Sequence, residues 1–139
     1  MTKTLDMQYI QYMSFFERLI GVRSVHCFSY SRTIIFAVEP KYLSRAIGDN
    51  GINIRKLTAK LKKRVKIVPE PQDINDLTRF VSIIVYPIKF RKITVDGNEA
   101  IISALPQDRA SLIGRDKFRL EELQNILEEY FNIKKLRIV

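Results

Sequence analysis

The chain repeats itself at a spacing of 66 residues. At that shift Pro40 overlays Pro106, Ile47 overlays Ile113, Gly48 overlays Gly114, Ile54 overlays Leu120 and Leu57 overlays Leu123. Proline and glycine fix unusual backbone, and the apolar positions keep helical spacing, so two copies of one local geometry are required. The overlay extends upstream, where Leu5 to Ile20 matches Pro71 to Tyr86. Two small domains follow, residues 1–70 and 71–139. A hydrophobic content of 46% in 139 residues can supply a core to each.

Within the first copy, Ile10, Met13, Phe16 and Ile20 recur at helical steps, and Gly21 ends a helix over Leu5–Ile20. Val22–Ser29 alternates roughly and reads as a strand. Ser31-Arg32 reads as a turn, and Thr33–Val38 as the second strand of a hairpin. Pro40 suits the first turn of a short helix carrying Leu43, Ala46 and Ile47, which stops at Gly48. A second helix starts near Gly51, with Ile54, Leu57 and Leu61 inward and Lys56, Lys60 and Lys63 outward. Arg64–Val68 is the closing strand, and Pro69 and Pro71 mark the boundary.

The second copy gives the same series. Asp73 can cap a helix running to Pro87, although the β-branched run Val81–Val85 alone would also suit a strand. The overlay with Leu5–Ile20 favours helix. Ile88–Val95 and Glu99–Ala104 read as strands around an Asp96-Gly97 hairpin signal. Pro106 opens a short helix to Gly114. A longer one follows with Phe118, Leu120, Leu123, Ile126, Leu127 and Tyr130 apolar, then a strand over Lys134–Val139. The closing strands need a few extra residues, which the longer helix absorbs.

Ile47-Gly48-x-x-Gly51-x-x-Ile54-x-x-Leu57 has the spacing of the KH signature. A bare Gly-x-x-Gly is common in turns; the flanking helices and charge make it informative. Glycines allow a sharp turn and close approach of a phosphodiester backbone, and helix N-terminal amides favour an anion. KH loops clamp about four nucleotides of single strand. Charge is concentrated in the same stretch. Residues 41–66 carry nine basic side chains against Asp49 alone, which leaves one net positive charge for the remaining residues out of a total of +9. Such concentration suits a polyanion, nucleic acid above all. A membrane surface is the weaker rival, since the basic helix has no large Trp- or Phe-bearing face.

The chain resembles the archaeal transcription factors of the NusA family, built of two KH domains. The resemblance rests on Phe16–Val22, Ile34–Glu39, Ala46–Leu57 and Val65–Val68. It implies an α+β fold of two tandem type II KH domains, each a three-stranded mixed sheet covered by helices. It also implies binding of single-stranded RNA in transcription elongation, pausing, termination or antitermination. The candidate RNA-binding residues are Arg45, Gly48, Asp49, Asn50, Gly51, Ile52, Asn53, Arg55 and Lys56 in the first copy. In the second they are Gly114, Arg115, Asp116 and Lys117. Asp49 and Asp116 partly offset attraction to phosphate. Lys117 stands where the second glycine would be, either blocking close approach or contacting phosphate itself. With Glu121, Glu122, Glu128 and Glu129 beside it, the second copy reads as auxiliary, and the first as the main grip.

For each residue a plainer reading stands alongside. The glycines can be mere helix punctuation, and Lys56, Lys60, Lys62 and Lys63 a solvated face. Asn53 suits either a base contact or a helix cap. Arg45 and Arg55 fit better, since guanidinium both bridges phosphate and stacks. His26 and Cys27 have no second ligand pair at metal spacing and belong on a strand. No cofactor, metal, small-molecule substrate or catalytic constellation is expected, and a single cysteine excludes an internal disulfide. With no leader and no long uncharged run, a soluble, cytoplasmic, non-membrane protein is expected. A ribosomal or RNA-processing KH protein and an adaptor for RNA polymerase are the alternative functions; an RNA-processing enzyme is the alternative of another class.

Overall fold

A computed structural model describes residues 7–139. These form two compact units, the first ending at Glu70 and the second spanning Pro71–Val139. Each is α+β, a three-stranded mixed sheet covered by helices, as in tandem KH-type domains.

The first unit runs α1 (Met7–Ile20), β1 (His26–Tyr30), β2 (Thr33–Val38), α2 (Leu43–Ile47), α3 (Ile52–Leu61) and β3 (Arg64–Pro69), with a 3₁₀ turn at Pro40–Tyr42 leading into α2. Strand β2 lies in the centre, antiparallel to β1 and parallel to β3, with Thr33 opposite Arg64 and Phe36 opposite Ile67. Ser31 and Arg32 both take positive φ, the conformation a two-residue hairpin loop needs to match strand twist. The core packs Phe16 of α1 on Phe36, ring centroids 4.6 Å apart, with Ile34, Val38, Ala46, Leu57, Val65 and Ile67 around them. Ile47 and Ile54 pack against this cluster half-buried, and Leu57 is fully buried.

The second unit repeats the order as α4 (Leu77–Val85), β4 (Lys92–Asp96), β5 (Glu99–Ser103), α5 (Pro106–Ile113), α6 (Phe118–Phe131) and β6 (Lys135–Ile138). Central β5 pairs antiparallel with β4 and parallel with β6. The ambiguous run Val81–Val85 is helical: Leu77, Phe80, Val81, Ile84 and Val85 form one buried face at three- and four-residue steps. Asp73 caps the turn before it, accepting from the Asn75 amide at 2.9 Å. Helix α6 has 14 residues against 10 in α3, and this extra turn carries most of the offset between the closing strands.

Several expected boundaries move. The first strand begins at His26, not Val22. Ser24 Oγ donates to the carbonyls of His26 and Ala37, while buried Val22 plugs the core from the connection. A side chain bonded to nearby backbone competes with the ladder there. The fourth strand begins at Lys92, not Ile88, because the Ile88 amide is held in a turn by the Val85 carbonyl. The second hairpin loop is Gly97-Asn98: Asp96 still pairs with Glu99, and Gly97 takes φ +62°. In α1, Ile10 lies outward, 41% exposed. Leu5 and Asp6 fall outside the described residues.

Candidate nucleic-acid interface

Helix α2 ends at Gly48, whose φ of +80° and ψ of 169° are accessible essentially to glycine alone. A Cβ on Gly48 would lie 2.8 Å from Ile52 Cγ2 and 2.9 Å from Asn53 Nδ2. This glycine is therefore demanded by its own backbone conformation and by its packing on the first turn of α3. Gly51 differs: a Cβ there would meet only Arg55 Nη1, at 3.8 Å, so its bare backbone faces open space. Asn50 (φ +55°) and Gly51 (φ +72°) are both left-handed, a region that Asn and Gly tolerate. The Gly51 amide donates to the Gly48 carbonyl and closes the turn.

The α3 N-terminus carries no side-chain cap, and the Ile52 amide donates to the Asp49 carbonyl within the turn that leads into the helix. Ile52 itself is 42% exposed. Arg55 arches back over the loop, its Nη1 donating to the Asn50 carbonyl, and so presents cationic charge next to Gly51. Lys56 is exposed on the following position. Asn53 has its amide committed: Nδ2 donates to the Arg45 carbonyl at 3.3 Å and ties α3 to the end of α2. This bond is a tie between the two helices, and Asn53 does not cap the N-terminus of α3. Arg45 is turned from the loop, with Nη2 donating to the Gly21 carbonyl at 3.2 Å and its guanidinium 5.4 Å from the Tyr42 ring. Lys41 lies over the same ring at 5.2 Å. Asp49 is exposed and nothing in the structure explains its charge.

The second loop has the same backbone. Gly114 (φ +75°, ψ 173°), Asp116 (φ +54°, ψ 29°) and Lys117 (φ +63°, ψ 21°) each match their counterparts closely. Lys117 thus holds a left-handed conformation, and Asp116 stands where Asn50 does, both being residues that accept it. Gly114 is again called for by its backbone conformation, and a Cβ there would sit tightly, 3.1 Å from Arg119 Cβ. Arg119 overlays Asn53 and does its work, Nη1 donating to the Ser111 carbonyl at 2.8 Å. Arg115 and Lys117 are exposed, and Phe118 overlays Ile52 with 53% exposure. Arg119 and Phe118 were missed as site residues, though the 66-residue shift itself overlays them on Asn53 and Ile52.

The charge-rich stretch does not all gather at the Gly48–Gly51 loop. Ten residues of α3 span about 15 Å. Arg55 and Lys56 lie at the loop end, whereas Lys60, Lys62, Lys63 and Arg64 collect at the far end, all exposed. Lys66 is half-buried on β3, and burial lowers its ammonium pKa. Burial also pushes the Cys27 thiol up to about 12, and His26 faces Glu70 at 3.7 Å.

No family model matches the chain. Curated relatives match it end to end. A protein of Halococcus morrhuae named "Probable transcription termination protein NusA" is 28% identical over 99% of both chains. The chain is similar along its whole length to archaeal proteins named NusA. A NusA-named protein of Methanococcus vannielii is 24% identical, over 97% of this chain and 79% of its own. One of Halobacterium salinarum is 23% identical over 99% of both. Among solved structures, that of APE1850 superposes with a TM-score of 0.64 at 23% identity, covering 97% of this chain and 100% of its own, and supports the fold.

Proposed function

We propose that this protein is a non-catalytic factor that binds single-stranded RNA during transcription, in elongation, pausing, termination or antitermination. The observation that carries this is the Gly51 face. Bare left-handed backbone opens outward beside the Arg55 guanidinium, which suits the close approach of a phosphodiester. Exposed Ile52 gives an apolar neighbour for a base. The relatives are named for transcription termination, which supports the setting. The groups offered are bare backbone and permanent cations, suited to holding phosphate rather than moving protons. Arg115, Lys117 and Phe118 offer the second loop a side-chain version of the same grip.

The test is a titration with random-sequence single-stranded RNA. Wild type binds, and Gly51→Asp, which sets a carboxylate on the open face, weakens binding at least tenfold while thermal unfolding stays cooperative. Absence of wild-type binding, with capture of RNA polymerase or another protein instead, overturns the reading in favour of an adaptor.

A further inference from the structure

The far end of α3 carries a cation cluster that the loop does not use. Strands β2 and β3 are parallel and begin side by side, Thr33 opposite Arg64. The residues just before them, Arg32 in the hairpin turn and Lys62-Lys63 after α3, therefore meet at one edge of the unit. Arg32, Lys62, Lys63 and Arg64 are all exposed. Among the described residues none of the four makes an ion pair.

The second unit carries less free charge at the same place. There Asn98 stands for Arg32 and Asn132 for Lys62, both helices ending in a left-handed residue (φ +57° at Lys62, +56° at Asn132). Lys134, just before the closing strand as Lys63 is, pairs with Glu128 at 3.3 Å, while Lys135, at the register position of Arg64, is exposed. One cation suits the negative end of a helix. Four unpaired ones repel each other and cost stability, unless a polyanion joins them.

We propose that Arg32, Lys62, Lys63 and Arg64 form a second RNA contact, a phosphate-binding patch for the strand beyond the nucleotides held at the Gly48–Gly51 loop. This rests on the RNA-binding reading above. The patch takes phosphates without regard to sequence, whereas the loop grips locally. At about 15 Å from the loop it lies beyond the screening length of about 10 Å at 0.1 M salt, so a short strand in the loop does not feel it.

The experiment compares random-sequence single-stranded RNA of about 5 and about 20 nucleotides, the shorter little more than a KH loop spans. The variant is Arg32→Gln, Lys62→Asn, Lys63→Gln and Arg64→Gln together; Lys62→Asn copies the residue of the second unit. Its affinity for the long RNA is expected to fall at least tenfold at 0.1 M salt, and the slope of log K against log salt to flatten by about 2 to 3, at about 0.7 per phosphate. Binding of the short RNA stays unchanged. Equal losses on both lengths, or no loss on the long one, overturn the patch while leaving the loop reading in place. If wild type binds neither length, the functional reading itself has failed and the patch falls with it. Should the fourfold variant not melt cooperatively, Lys63→Gln with Arg64→Gln carries the same comparison at half the slope change.

Discussion

Lys117 holds a φ of +63° that glycine would hold without steric cost. A left-handed conformation costs a side-chain-bearing residue about 1–2 kcal/mol, of which glycine's freer unfolded chain returns a part. Lys117→Gly is therefore expected to stabilise the protein by up to about 1 kcal/mol, read from the midpoint of denaturant unfolding; a destabilised variant would contradict the strain. The two glycines of the first loop should separate in the same measurement. Gly48→Ala meets Ile52 and Asn53 in a glycine-only conformation and loses at least about 2–3 kcal/mol. Gly51→Ala enters open space and loses about 1 kcal/mol. Cys27 offers a further check. With its thiol raised to about 12 by burial against 9.0 unfolded, it stays protonated at neutral pH and native alkylation is slow until denaturant is added. The sign for stability follows: the contribution is complete below pH 9.0 and is lost as pH climbs toward 12.

At the scale of elements, each loop is held by the helix after it. Asn53 and Arg119, different in chemistry, bond to carbonyls at matching positions of α2 and α5. Any side chain that reaches that carbonyl serves, so the two loops share a backbone despite different residues. Beneath them, Leu57 and Leu123 are fully buried at corresponding sites of α3 and α6. Truncating either to alanine is expected to cost about 2–5 kcal/mol, measured by chemical denaturation. The helices and central strands were legible because their apolar spacing is local information. The starts of β1 and β4 were not, because Val22 and Ile88 are apolar for reasons outside the ladder: one plugs the core from a loop, the other sits in a turn.

At the scale of the molecule, the charge has a geometry that the linear count concealed. Nine basic residues between 41 and 66 look like one site, yet the length of α3 separates Arg55 and Lys56 from Lys60, Lys62, Lys63 and Arg64, and Arg45 on α2 turns toward Gly21. RNA binding is expected to weaken steeply with salt, log K falling by about 0.7 per log unit for each phosphate engaged on a single strand. A slope near zero in a fluorescence titration would show that these cations meet no phosphate. The sequence by itself determined the repeat, the order of elements and the position of both loops, because glycine, proline and apolar periodicity act within a few residues of themselves. The tertiary structure alone decided which glycine opens outward, which side chains are already committed within the protein, and that Arg32 joins Lys62, Lys63 and Arg64. Those facts depend on strand register and on the far side of a turn, where residues distant in sequence become neighbours.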